Sequence, residues 1–288
     1  MITRPKIWLI VSLITMAVCL GIIVAVPPVA GIDFKGGSLL ELKTTLTADE
    51  VTAAIVETFE LPVTAQATEN NNLIVRTTAL TAQQHDELTK KFQEKDAAIQ
   101  ELRFETVGPS IGAELRRKAW IAVSLSVVVI VIYLAYEFRH TGGLVSPWKF
   151  GVAAAVALVH DLLVVTASFS ILGQTHGAPI DALFITAMLA LGGYSVNDTI
   201  VLFNRLKQEW LARRSGNLIN LLDQAVKLTL TRSLNTSIPI LLTLITLLIF
   251  GGGTIRWFVV ALTIGTITGM YSTIFVAPAW LWLLARKK

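Results

Sequence analysis

ALFITAMLALGGYSVNDTIVLFNR, residues Ala182 to Arg205, decides what kind of protein this is. A helix needs about 20 predominantly apolar residues to cross a hydrocarbon core. The stretch from 182 to 203 supplies them, yet Asp198 stands inside it. Asp198 is about five residues, roughly 8 Å at the helical rise, from the polar end of the run. An aspartate is too short to reach headgroups from there, so it needs a partner or water, and an ionisable residue at membrane depth reads first as functional. Gly192, Gly193, Tyr194, Ser195 and Asn197 surround it with flexible backbone and hydrogen-bonding groups, which predicts a kink or a water-accessible pocket. The rival reading makes Asp198 a structural bridge between helices.

The rest of the chain agrees with a membrane solvent. Of 288 residues 53% are hydrophobic and 15% charged, outside the range of an ordinary soluble domain. Apolar runs at roughly 7–26, 119–136, 150–172, 182–203, 229–250 and 258–284 predict six spans. The first follows Arg4 and Lys6 as a signal peptide would, but it is too long for a signal h-region, so a retained anchor is expected. Lys and Arg gather in alternate connections: Arg4 and Lys6, Arg139 and Lys149, Arg205 to Arg232, and Arg286 to Lys288. The intervening loop GQTHGAPID carries none, and FGGGTIRW only Arg256. By the positive-inside rule both termini face the cytoplasm, although Arg116, Arg117 and Lys118 precede the second span on the outer side. Trp8, Trp120, Trp148, Trp257 and Trp280 fall near span ends, as an interfacial aromatic belt requires. The net charge of +4 then reflects topology, and no nucleic-acid partner is expected.

Residues 32–118 are polar. They read as strand 38–43, helix 47–60, strand 62–68, a turn at Asn70, Asn71 and Asn72, strand 73–77, helix 81–97 and strand 102–107. Both helices open on Thr, and Thr47 with Glu50 has capping-box spacing. The βαββαβ order predicts a ferredoxin-like α+β domain with helices on one face of a four-stranded antiparallel sheet. The expected organisation is a first span in 1–30, an extracytoplasmic domain in 31–118, and a bundle of five spans in 119–288 with a basic cytoplasmic loop at about 204–230.

Further polar residues lie within the spans. Asp161 falls near the middle of the third, on a face with Ala154, Ala157 and Ser168 that lets a neighbouring helix approach. His160 beside it reads as a packing or hydrogen-bonding partner. Arg232 lies about as deep in the fifth span as Asp198 does in the fourth, unless that helix starts later and Arg232 snorkels to the headgroups. Gly265 and Gly269 form a GxxxG packing face. Cys19 is the only cysteine and the four histidines are scattered, so no metal site, cofactor or covalent catalysis is expected.

GIDFKGG at 31–37, VGPSIGAEL at 107–115, His160-Asp161, GYSVNDTIVLFNR at 193–205 and TLTRSLNTS at 229–237 together resemble the SecF family, translocase subunits of the bacterial SecDF complex with the topology of the RND superfamily. The resemblance implies a subunit that uses the proton-motive force to promote late steps of preprotein export through the Sec channel, with the proton gradient as its only energy source. It implies a cytoplasmic (inner) membrane location, SecD, SecYEG and YajC as partners, and a translocating preprotein as cargo. By motif it assigns Asp198 to proton flow and Arg232 to the basic site between the halves. Asp161 is expected to join that relay, with Ser195, Asn197, Asn235 and Thr236 in support and Gly192, Gly193, Gly265 and Gly269 as hinge or packing positions. The chain carries only one half, so a separate SecD aspartate is expected to complete the relay. Half of an RND-type exporter of small molecules or lipids is the alternative, but one small external domain cannot enclose a substrate pocket of several hundred Å³.

Overall fold

Thr47 and Thr81 each cap a helix, and the sheet is built around those two helices. The computed structural model describes residues 3–67, 72–141, 143–213 and 216–286, the side chain of Thr254 excepted. Thr47 accepts from the Glu50 amide while the Glu50 carboxylate accepts from the Thr47 amide, starting α3 (Ala48–Phe59). Thr81 and Gln84 repeat the arrangement ahead of α4 (Ala82–Lys95). Each reciprocal cap satisfies two of the amides that a helix start leaves without partners.

Strands β1 (Gly37–Lys43), β2 (Val63–Ala67), β3 (Asn72–Thr77) and β4 (Gln100–Val107) form an antiparallel sheet in the order β2-β3-β1-β4. Leu40 pairs with Val75 on one side and Phe104 on the other. With Leu42, Leu73, Val51, Ile55, Leu88 and Phe92, they pack the space between sheet and helices. β4 begins two residues before the expected 102, and the register shifts by one residue at Glu41/Leu42. The predicted turn at Asn70 and Asn71 lies outside the described residues, and Asn72 belongs to β3.

GIDFKGG contains a short helix that the sequence did not predict, α2 (Ile32–Lys35). Gly36 and Gly37 take φ of 78° and 143°, and a Cβ on Gly37 would stand 2.6 Å from the Thr77 carbonyl oxygen, so only glycine fits. Residues Val29–Trp120 and Pro179–Ala182 make one compact unit. Within it Ala30 bridges Ile180, and the Asp33 carboxylate accepts from the Ala182 amide at 2.8 Å. The sequence had placed 179–182 with the bundle.

The other unit is helical: α1 (Pro5–Ala25), the membrane part of α5 (Pro109–Glu137), α6 (Pro147–His176), α7 (Ala182–Arg213), α8 (Leu218–Phe250), α9 (Gly253–Tyr271) and α10 (Ala277–Arg286). Among the described residues, six helical stretches are long and apolar enough to cross a membrane, with α9 and α10 sharing the last. The chain is a multi-pass membrane protein. α6, α7 and the last span are half or more buried and form the centre, whereas α1, α5 and α8 leave most of their surface outward.

Phe138, Phe150 and Phe203 stack and cross edge to face at 4.7 to 6.0 Å between centroids, and Trp8 stacks on Phe275 at 3.9 Å. Gly151 faces the Val131 carbonyl, where a Cβ would stand 2.6 Å away. α5 and α6 therefore approach as closely as backbones allow.

One expectation needs correction. The basic connection at 204–230 is not a loop: α7 continues to Arg213 and α8 starts at Leu218. Hydropathy marked where the membrane ends, not where the helices end. Beyond it Arg205–Glu209, Arg213–Glu209 and Asp223–Lys227 pairs and an Asn217 cap sustain the helices. α7 runs through Gly192 and Gly193 as one continuous helix. An irregular turn lies at Ser272–Val276, a π-helical segment in which the Ala277 amide donates to the Ser272 carbonyl. Pro278 explains it, because proline has no amide to offer Ile274 and its ring clashes with that carbonyl in an α-helix, and a widened turn relieves both.

Candidate functional site

Two buried carboxylates meet at α7: the helix presents a hydroxyl to Asp161 and carries Asp198 itself. Asp161 on α6 is 0% exposed. Its Oδ2 accepts from Ser195 Oγ of α7 and from Ser272 Oγ of the π-helical turn, both at 2.7 Å. Oδ1 lies 3.1 Å from His160 Nδ1. Gly269 gives the cluster room: a Cβ there would sit 3.5 Å from Ser195 and 3.8 Å from Asp161 Oδ2. His160 is thus a direct neighbour of the carboxylate, as expected, and its Nε2 is buried with no partner among the described residues.

Asp198, one turn after Ser195, is 5% exposed and faces α8. Ser233 hydrogen-bonds it and the Arg232 charge attracts it, while its Oδ2 is buried without a partner among the described residues. Tyr194 and Ser237 share a hydrogen bond one turn away, joining α7 to α8 a second time. Thr199 approaches Thr273 at 3.3 Å, so α7 also touches the π-helical turn.

Arg232 is nearby yet forms no ion pair within 4.0 Å among the described residues. The reason is helical phase: Thr229, Ser233 and Ser237 fall every four residues and are buried, which leaves Arg232 on the exposed flank. Asn235 and Thr236 are exposed too, and Thr236 bonds back to its own helix through the Ser233 and Arg232 carbonyls. Asn197 is exposed on α7. Gly265 packs tightly, since a Cβ would stand 2.5 Å from Leu191 Cδ2. Gly192 makes ordinary contact with Leu158, and Gly193 faces open space.

Sequence reasoning missed Ser233, Ser237 and Ser272. A stripe of small hydroxyl residues every fourth position on α8 was visible in TLTRSLNTS, and Pro278 signalled a disturbed turn near Ser272. Among the described residues no three His, Cys, Asp or Glu side chains gather as a metal site would require.

The pattern of protein export membrane protein SecD/SecF, C-terminal, matches residues 87–287. The protein translocase subunit SecF of Thermobaculum terrenum is 35% identical over 261 residues, covering 86% of this chain and 81% of that one. SecF of Anaerolinea thermophila is 36% identical over 255 residues, covering 85% and 81%. The SecDF protein of Thermus thermophilus is 31% identical across 96% of this chain, which spans 39% of its length. A crystal structure of SecDF from that organism superposes with a TM-score of 0.85 at 29% identity, over 98% of this chain and 38% of the other.

Proposed function

The chain belongs to the SecD/SecF family of protein-export membrane proteins, and from that premise we propose how its buried carboxylates serve export. It is a protein translocase subunit of the SecF kind, and the similarity to SecF sequences and a SecDF structure favours this over half of a small-molecule exporter. In our reading it works beside a separate SecD, because the relative from Thermus thermophilus carries both halves in one longer chain. The pair sits in the bacterial inner membrane, assists SecYEG with YajC, and converts the proton-motive force into pulling on a preprotein. Both termini face the cytoplasm. The unit built on the β2-β3-β1-β4 sheet is a ferredoxin-like domain on the outer side, and it is the part that moves.

The observation that carries the proposal is the asymmetry of Asp198: it is buried, hydrogen-bonded by Ser233 on one side and left with an oxygen that has no partner among the described residues on the other. Such a carboxylate can take or release a proton without dismantling its surroundings. Moving α7 against α8 alters its distance from Arg232 and from Ser233, and with them the balance between charged and neutral forms. Asp161, tied to Ser195 one turn away, senses the same movement. Transfer of one charge through 100 mV yields roughly 2.3 kcal/mol, enough to bias a domain swing.

The test is export of a reporter preprotein from inverted vesicles under an imposed proton gradient, with complex abundance measured alongside. Asp198→Asn keeps size and hydrogen bonding but cannot ionise, so it should assemble normally and lose essentially all gradient-dependent stimulation. Full stimulation by the variant would sink the relay, and a loss that tracks abundance would make Asp198 structural.

A further inference from the structure

Arg116, Arg117 and Lys118 stand immediately before the apolar run that begins at residue 119, and neither the fold nor the relay makes use of them. All three are exposed on α5. Lys118 Nζ pairs with Glu114 Oε1 at 2.7 Å, whereas Arg116 and Arg117 make no ion pair among the described residues. Trp120 follows them at the three- and four-residue spacing of helical neighbours and is 70% exposed. α5 is continuous from Pro109 to Glu137, so the rise of a helix puts the triplet within about 5 Å of the apolar run. That is the level of the headgroups and of an aromatic belt.

The rest of α5 shows what surrounds it there. Of its six exposed positions from 121 to 132, five are Ile121, Leu125, Val128, Val129 and Ile132, and the other is Ser124. Large aliphatic side chains turned outward suit acyl chains, whereas small and polar ones mark contact with another helix. α8 has the second kind of surface, exposing Arg232, Asn235 and Thr236, and suits a partner helix instead. The start of α5 is held firmly: a Cβ on Gly112 would stand 3.0 Å from the Gly36 nitrogen and 3.3 Å from the Phe34 carbonyl oxygen, so backbone meets backbone. The two arginines thus project from a fixed stem at headgroup level, and a guanidinium presents paired donors that match phosphate oxygens.

We infer that Arg116 and Arg117 bind the phosphates of anionic phospholipids where α5 enters the bilayer, with Trp120 seated at the same level. The partner is a lipid and not a soluble anion, because the aliphatic face begins at Ile121, little more than one turn from Arg116. Attraction between cations and an anionic surface adds affinity that salt screens. The contact fixes the depth of a helix that begins in the sheet-bearing unit and ends in the bundle. It does not depend on whether Asp198 carries protons.

The full chain, with its partner subunit, is reconstituted into phosphatidylcholine vesicles carrying a trace of photoactivatable phosphatidylglycerol or, in a parallel set, photoactivatable phosphatidylcholine, each with its reactive group next to the headgroup. Illumination and peptide mass spectrometry then measure labelling around residues 116–121. Phosphatidylglycerol should label that stretch in excess of phosphatidylcholine, by about fivefold for each unpaired guanidinium at low salt. The excess should shrink as salt is raised. Arg116→Gln with Arg117→Gln should bring the two lipids close to parity, while Arg116→Lys with Arg117→Lys should keep most of the excess because the charge remains. Inorganic phosphate at matched ionic strength should displace nothing. If the glutamine pair assembles poorly, the salt dependence of the unaltered chain carries the test. Equal labelling by both lipids in the unaltered chain, an excess that survives the glutamine pair or high salt, displacement by phosphate, or no lipid labelling because a partner chain covers the cluster would each overturn the inference.

Discussion

Asp161 and Asp198 are the same residue on adjacent helices, almost equally buried and both in reach of α7, yet their surroundings are opposite. Asp161 has a donor for each oxygen and a second donor on Oδ2. Asp198 has Ser233 and one oxygen with no partner among the described residues. A carboxylate whose lone pairs are occupied by its own neighbour and by two other elements fixes those elements in place. One with an open side has somewhere to put a proton. Burial alone would have ranked the two together, and only the count of hydrogen bonds separates an anchoring role from a carrying one.

The comparison breaks most visibly in stability. Asp161→Leu removes the acceptor for Ser195, Ser272 and His160 at once, leaving buried donors unsatisfied at about 1 to 3 kcal/mol each. A total loss of about 3 to 5 kcal/mol is expected, seen as a large fall in the unfolding midpoint of the detergent-solubilised chain. Asp198→Leu should cost visibly less. Equal losses would mean that the two sites do the same structural work.

Single donors sharpen the contrast. Ser195→Ala should cost about 1 to 2 kcal/mol, because Asp161 keeps two other donors but loses a charge-assisted bond in a dry setting. Ser233→Ala should cost less in stability and instead shift the pH profile of gradient-driven export, since it alters the hydrogen bonding of the group proposed to titrate. Matching stabilities with an unmoved pH profile would remove the distinction.

Packing around α7 offers a control that touches neither carboxylate. Gly265→Ala puts a methyl 2.5 Å from Leu191 Cδ2, so Leu191 must shift, with a net cost of about 1 kcal/mol after the gain in helix propensity. Gly193→Ala meets open space and should stabilise α7 by up to about 1 kcal/mol. Thermal unfolding of the two variants decides it. A loss at Gly193 would show that the glycine is used as a hinge although α7 is unbroken there.

Local signals were the readable ones. Thr47 with Glu50 and Thr81 with Gln84 act within one helical turn, and both helices began where those residues said. Six apolar runs and the burial of Asp161 likewise needed nothing beyond helical spacing. The partners of Asp161 were out of reach, being 34 and 111 residues away on helices whose rotation no single sequence specifies. Arg232 shows the limit most clearly: its depth was readable, but whether it or Ser233 faced Asp198 depended on the phase of α8. Residues 32–35 were missed because a one-turn helix is too short to carry a periodic signal.

A third aspartate, outside the membrane, isolates what hydrogen bonding does when water is present. Asp96, at the end of α4, accepts from the Thr45 amide, the Thr44 and Thr45 hydroxyls and the Ala98 amide. These bonds, with the Thr45 amide foremost, lower its pKa from 3.8 to about 2. The sign follows from linkage: the folded form holds its proton less tightly than the unfolded form, so the stabilisation is complete above 3.8, declines as pH falls, and is gone below about 2. Asp96 is solvated, so the effect is the smallest of those considered and is best read locally. Protection of the Thr45 and Ala98 amides, measured by hydrogen exchange on the full chain and corrected for intrinsic rates, should fall across that window. In Asp96→Asn it should be lower at neutral pH and flat through the window, because the amide accepts more weakly and does not titrate. Protection that declines equally in both proteins would assign the acid sensitivity to other carboxylates and leave Asp96 an ordinary surface residue.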